Sequence, residues 1–292
     1  MDKDFYLNKL IKDLERRRYA DETIERYFNV TNRFLKFINN KKDIRDLNEY
    51  DAIDYLDYLT KERHYKSSSY NNVNSILKFF LEVTLEKDIG YRRMPSAKCG
   101  ERQKVIPTRE EVISIIESTN NIKHKCWFAL AYGSGLRTFE IAKLKVTDID
   151  SKNMKINLIG KGNKERITVL PEMTLSLLRQ YCRDEGIKKG NNTIYLFKGQ
   201  RKEHISEDTV ARTLKNKVIK LGLDENLSMH SLRSGFATQM LKSGEKLEVV
   251  KELMGHKSIT TTMGYVKVVY IDRKIKNPLD GEFYETYNSR SN

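Results

Sequence analysis

Apolar residues return every third or fourth position through the first part of the chain, the spacing of helices that bury one face. Phe5, Leu7, Leu10, Ile11 and Leu14 predict a first helix over residues 5–19. An acidic start at Asp21-Glu22-Thr23-Ile24 leads into Tyr27, Val30, Phe34, Leu35 and Phe37, a second helix that stops in the Asn39 to Lys42 cluster. Ile53, Leu56 and Leu59 form a third stripe. Ser67-Ser68-Ser69 then offers a cap for a fourth, with Val73, Ile76, Leu77, Phe80 and Leu81. Short connections between such helices predict a compact bundle.

The pattern breaks over residues 88–107, where Gly, Pro95, Pro107 and basic residues replace the apolar stripe and read as a linker. Thr108 followed by Glu111 is a capping box that opens a helix with Val112, Ile115 and Ile116. Residues 124–132 are mostly apolar and predict a buried helix running into Gly133-Ser134-Gly135-Leu136-Arg137, with Thr138 as cap of the next helix. Residues 146–149, 155–159 and 166–170 read as strands separated by turn sequences, a small antiparallel sheet. Further helices are expected from Pro171 to Cys182, from Ser206 to Leu221 and between Leu227 and Met254, with a short strand at Thr193 to Phe197. The expected fold is mainly α: a helical bundle over 1–90, a linker over 91–107, and a mixed α/β domain over 108–292, mostly helices with a small antiparallel sheet and a C-terminal tail.

Charge changes this picture from architecture to partner. The chain carries 54 basic and 40 acidic residues, a formal +14, which favours a polyanion. Residues 1–98 hold 20 basic against 17 acidic, so 34 against 23 fall in the remainder, which should supply most of the attraction. Three cysteines, Cys99, Cys126 and Cys182, are widely spaced and suggest neither a disulfide framework nor a zinc site. No signal-like start and no membrane-length apolar run are seen, so the expected location is the cytoplasm, associated with the nucleoid or a mobile element.

Candidate chemistry gathers late in the chain. His230 and Arg233 are three apart and share a helix face. Gly255 ends the Leu247 to Met254 stripe, so His256 falls just past a helix end, and Tyr265 follows nine residues later beyond a Ser/Thr-rich turn. Arg137 sits at a helix N-terminus, where free N–H groups add to an anion site. Lys161 lies at a hairpin tip. Each residue taken singly has an ordinary explanation as a cap, a turn or a half-buried aromatic. As a set they describe an anion site with a hydroxyl nucleophile beside it.

The set resembles the tyrosine recombinases or phage-type integrases, in layout the compact Xer-like ones. The resemblance rests on Ala131 to Ile141 as the arginine box, on Gly160 to Arg166 as the lysine hairpin, on His230-Ser231-Leu232-Arg233, and on Gly255-His256 followed by Tyr265. It implies that residues 1–90 are a SAM-like, DNA-clamping core-binding domain and that residues 108–292 are catalytic. It also implies Arg137, Lys161, His230, Arg233, His256 and Tyr265 as the catalytic residues, with Glu140 in support and no metal or cofactor. In the N-terminal domain the DNA-facing candidates by resemblance are Arg26, Arg33, Lys66, Ser67, Ser69 and Asn72. Arg212 and Lys215 are further candidates, on a helix suited to a DNA groove. The implied partners are double-stranded DNA with paired half-sites and a homo-tetramer on two duplexes, from a monomer or weak dimer in solution. Val266 to Ile271 would dock on a neighbouring protomer. Ser234-Gly235 and Met263-Gly264 depart from the usual pattern without removing a catalytic group.

The expected activity is therefore site-specific strand exchange through a 3′-phosphotyrosine intermediate and a Holliday junction, in Xer-like resolution or mobile-element integration. Two other readings share parts of this evidence. One is a sequence-specific architectural DNA-binding protein with a vestigial site, and the other a type IB topoisomerase-like strand transferase.

Overall fold

The computed structural model describes residues 3–39, 42–89, 93–100, 105–160, 164–187, 195–199, 203–256 and 258–272. They fall into two compact units, Met1–Arg102 and Gln103–Asn292. The architecture is mainly helical, with a helical bundle first and a small antiparallel sheet among the helices of the second unit.

The first unit contains α1 (Lys3–Arg16), α2 (Asp21–Ile38), α3 (Glu49–Lys61) and α4 (Ser67–Phe79). Their apolar stripes meet in one core in which Leu10, Leu14, Phe34, Leu56, Leu77 and Phe80 lose all contact with solvent. Two helix starts differ from the sequence reading. Ala20 and Lys66, not the polar residues after them, occupy the cap positions, so Asp21, Glu22 and the three serines lie in first turns. There the two acidic side chains favour the positive end of the α2 dipole without capping it. The helix α3 does carry a side-chain cap, a reciprocal bond pair between Asn48 and Asp51. Residues 93–99, within the stretch read as a linker, lie against α4: Asn71 donates to the Ala97 carbonyl at 2.9 Å and accepts from its N–H at 2.7 Å. Asn74 donates to the Met94 carbonyl, and the Met94 side chain is buried.

The second unit begins with α5 (Arg109–Glu117), α6 (Ile122–Gly133) and α7 (Thr138–Ala142). The Thr108–Glu111 capping box forms as its spacing predicts. Residues 126–131 of α6 are all buried, which is why its sequence is apolar on every side. The sheet follows, in the order β1 (Ile149–Asp150), β2 (Lys155–Gly160) and β3 (Lys164–Val169), antiparallel, with Leu158 opposite Arg166 and Ile156 opposite Thr168. Ile156 and Leu158 point inward while Ile159 and Ile167 are exposed, the alternation a half-covered sheet requires. Val146–Asp148 is a 3-10 turn and not the start of a strand, because the Lys145 N–H donates to the Asp148 carboxylate and tightens the backbone. The short strand expected at Thr193 to Phe197 is absent over Tyr195 to Phe197, where the Leu196 N–H is taken by the Leu144 carbonyl instead of a ladder; its first two residues lie outside the described ones.

Five helices among the described residues complete the unit: α8 (Glu172–Asp184), α9 (Glu207–Lys220), α10 (Met229–Lys242), α11 (Leu247–Met254) and α12 (Ile259–Asp272). Tyr265 is inside α12, and Thr260, Thr261 and Thr262 of the stretch read as a Ser/Thr-rich turn belong to the same helix. No helix among the described residues is long and apolar enough to cross a membrane.

Candidate active site

Arg137 is the N-cap of α7, one residue earlier than the Thr138 cap read from sequence. Glu140, one turn on, reaches back to the Arg137 N–H at 2.6 Å and to its guanidinium at 3.0 Å, so one carboxylate both caps the helix and orients the arginine. The other end of that guanidinium donates to the Gly255 carbonyl at 3.0 Å, where α11 ends. The carbonyls at a helix C-terminus lack intrahelical partners, and here arginines satisfy them.

A second guanidinium, which sequence reasoning passed over, completes this support. Arg166 on β3 grips Glu140 with Nη2 at 2.6 Å and Nε at 3.1 Å, and also donates to the Leu253 carbonyl. Its side chain is buried, and it lies in the same hairpin segment as Lys161. Alternation along β3 pointed the other way, since apolar Ile167 and Val169 read as the inner face, whereas Ile167 is exposed and Arg166 shares the inward face with buried Thr168.

Arg233 lies deeper, 1% exposed, with its two Nη groups donating to the Gly135 and Met254 carbonyls and Glu140 3.8 Å away. Three guanidiniums thus surround a single carboxylate. Burial alone would raise the Glu140 carboxyl, but the Arg166 hydrogen bonds and charge, the Arg137 N–H and Arg233 hold it below the ordinary carboxylate value. Burial, and then repulsion from Arg137, bring the Arg233 guanidinium down to about 9 despite the opposing charge of Glu140. Two positive charges remain uncompensated by Glu140, and a buried excess of that sign is relieved by an anion.

Gly255 makes the convergence possible. It ends α11 with φ 59°, in the left-handed region, and a Cβ there would stand 2.5 Å from Arg166 Cδ. Gly235, a weak residue for the middle of a helix, has a similar purpose in α10: a Cβ would meet the Tyr132 ring at 2.9 Å. The close approach of α10 to α6 accounts for this departure from the usual sequence pattern.

Next to the arginines lie His256 and Tyr265. Their rings are stacked with centroids 6.4 Å apart. Tyr265 is 1% exposed, packed with Phe236, Val250 and Met254, and its hydroxyl accepts from Ser234 Oγ at 3.4 Å. Ser234, the other departure, therefore contacts the tyrosine hydroxyl directly. His256 is brought down to about 4, first by burial and then by the charges of Arg233, Arg137, His230 and Arg166, so the ring is neutral near pH 7. Its Nδ1 is 2.9 Å from the hydroxyl of Thr262. His230 is exposed at the start of α10, near enough for its charge to act on His256.

The structure thus brings together Arg137, Glu140, Arg166, His230, Arg233, His256 and Tyr265. Lys161 lies outside the described residues, as does the tail beyond Asp272. Among the other candidates, Arg26, Arg33, Lys66, Ser69, Asn72 and Arg212 are exposed and Ser67 is half-buried. Lys215 is already engaged, donating to the Glu225 carboxylate at 2.9 Å and to its carbonyl at 2.7 Å.

Known proteins match the chain over both units. Residues 107–270 match the phage integrase family, and residues 6–91 match the phage integrase N-terminal SAM-like domain. A tyrosine recombinase of Thermosipho africanus is 29% identical over 262 residues, covering 86% of this chain and 90% of that protein. Tyrosine recombinase XerC of Rickettsia massiliae is 30% identical over 271 residues, covering 86% and 88%. Among solved structures, a lambda integrase fragment in a dimer bound to a COC' core site matches with a TM-score of 0.69 at 19% identity, covering 91% of this chain and 95% of the other.

The fold and these matches define a class, enzymes that transfer DNA strands through a tyrosine. Within it, this chain belongs to the phage integrase family of tyrosine recombinases and resembles its Xer-like members. Its activity is site-specific DNA strand exchange through a phosphotyrosine intermediate.

Proposed function

We propose that the chain acts on duplex DNA with paired half-sites and that the residues gathered around Glu140 carry the chemistry. One observation supports this most directly: a buried excess of guanidinium charge beside a tyrosine hydroxyl. A phosphodiester is anionic and gains charge at the pentacoordinate transition state, so fixed cationic donors lower the barrier. Arg137 and Arg233 would hold the non-bridging oxygens, since each offers a planar fork that stays charged at neutral pH. Neutral His256 would add one hydrogen bond to the same group. Arg166 and Glu140 would keep the two arginines in place.

Tyr265 Oη would attack phosphorus, forming a 3′-phosphotyrosyl bond while the bond to the 5′ oxygen breaks. His230 would take the phenolic proton, and Lys161 would deliver one to the departing oxygen. Attack by a second 5′-hydroxyl reverses the step, conserving bond energy without a nucleotide cofactor. Four protomers on two duplexes, exchanging strands through a Holliday junction, would complete the reaction, with the segment at Val266 to Ile271 docking on a neighbour. The lambda integrase relative is a dimer on a core site, which supports paired half-sites here. The N-terminal bundle would clamp the duplex through Arg26, Arg33, Lys66, Ser67, Ser69 and Asn72, and α9 would reach it through Arg212. In this division of labour the clamp extends through the segment at residues 93–99 that packs on α4, and the catalytic part follows from about residue 103.

The test is a nicked suicide duplex selected by binding from the organism's own DNA. Wild type is expected to form a covalent adduct, and Tyr265→Phe to bind equally but form none. Binding without an adduct in either protein would favour an architectural role.

A further inference from the structure

Resting on the reading of His256 as a phosphate donor, we propose that Thr262 is a positioning residue that holds His256 in the tautomer with its proton on Nε2. The Thr262 hydroxyl is fully buried and 2.9 Å from His256 Nδ1. A neutral imidazole has one N–H and one lone pair, and the partner of one nitrogen decides the role of the other. A carbonyl at Nδ1 would accept, placing the proton on Nδ1 and turning a lone pair toward the phosphate. A hydroxyl can donate as well as accept, and when it donates to Nδ1 the proton stays on Nε2. A phosphate oxygen only accepts, so this is the arrangement in which a neutral ring can bind it. His256 is uncharged here because it is buried among Arg233, Arg137, His230 and Arg166, and without the right tautomer it has no second proton to offer.

Thr262 and Tyr265 are three residues apart on α12, hence on one face of that helix. One helix therefore carries both the nucleophile and the hydroxyl that faces His256. Ser234 on α10 contacts the Tyr265 hydroxyl at 3.4 Å and Thr262 contacts His256, so both polar contacts are made across the same packed helix.

The experiment compares Thr262→Val and Thr262→Ser with wild type in the full chain. Nitrogen-15 shifts of labelled histidine, read with and without inorganic phosphate, report the His256 tautomer, with His256→Gln identifying the signal. Single-turnover cleavage of the nicked duplex reports the rate, and duplex binding is measured separately. Wild type should show the Nε2–H form. Thr262→Val should mix the tautomers and slow cleavage roughly 10- to 100-fold at unchanged binding, and Thr262→Ser should restore both. An Nδ1–H tautomer in wild type overturns the inference even if Thr262→Val fails to fold. So does a valine variant that cleaves at the wild-type rate. Absence of any adduct in wild type, with the Nε2–H tautomer present, would count against the proposed chemistry and not against the role of Thr262.

Discussion

At the residue scale, Arg166 shows how one buried side chain can hold a cluster in place. It binds the Glu140 carboxylate through two nitrogens and a helix-end carbonyl through a third, so its loss strands a buried charge. Arg166→Ala is expected to destabilise the second unit by about 3–5 kcal/mol, the range for breaking a buried ion pair, and to abolish adduct formation by freeing Arg137. Denaturant unfolding and the suicide-duplex assay check the two effects. Arg166→Lys should recover little of either, because an ammonium cannot reproduce the planar fork. His256 supplies a pH signature of its own. Its unfolded value is near 6.5 and its folded value about 4, so between those limits the unfolded chain holds a proton that the folded chain does not. Stability therefore falls as pH drops from about 6.5 toward 4. Thermal melting of His256→Gln should show a shallower fall over that window than wild type. Equal slopes would mean that His256 is not held neutral by its surroundings.

At the scale of elements, the site is made of ends. Arg137 begins α7, Gly255 ends α11, and the guanidiniums bind the carbonyls left over where α11 stops. Gly255→Ala combines a positive φ with a side chain driven into Arg166, and should cost about 1–3 kcal/mol while displacing the arginine cluster. Adduct formation should fall more than thermal stability does, since the misplacement occurs where the phosphate would sit. The helices that carry the site were legible as amphipathic stripes with caps. Their start residues were less so: Ala20, Lys66 and Arg137 occupy cap positions that side-chain chemistry would have given to neighbours. Backbone φ and ψ decide the cap, and a polar side chain one residue away can act from the first turn.

At the scale of the whole molecule, positive charge is distributed unevenly along the chain, with most of the excess after residue 98. Affinity for duplex DNA should fall linearly with salt on logarithmic axes, with a slope that reports the number of phosphates contacted. Arg26→Ala and Arg212→Ala are each expected to reduce that slope by about one without changing which sequence is preferred. Fluorescence anisotropy titrations over a salt series would read this, and an unchanged slope would remove the residue from the interface.

The order of Arg137, His230, Arg233, His256 and Tyr265, the helical bundle and the antiparallel sheet could all be read along the chain, because periodicity, caps and motif spacing are local properties. The burial of Tyr265, the service of Arg166 to Glu140 and the contact of Thr262 with His256 could not. These depend on which helix ends meet: 118 positions separate Arg137 from the Gly255 carbonyl it binds, and 98 separate Arg233 from that of Gly135. Spacing along a sequence constrains neighbours within an element, whereas a hydrogen bond between distant elements exists only once packing has placed its donor and acceptor about 3 Å apart.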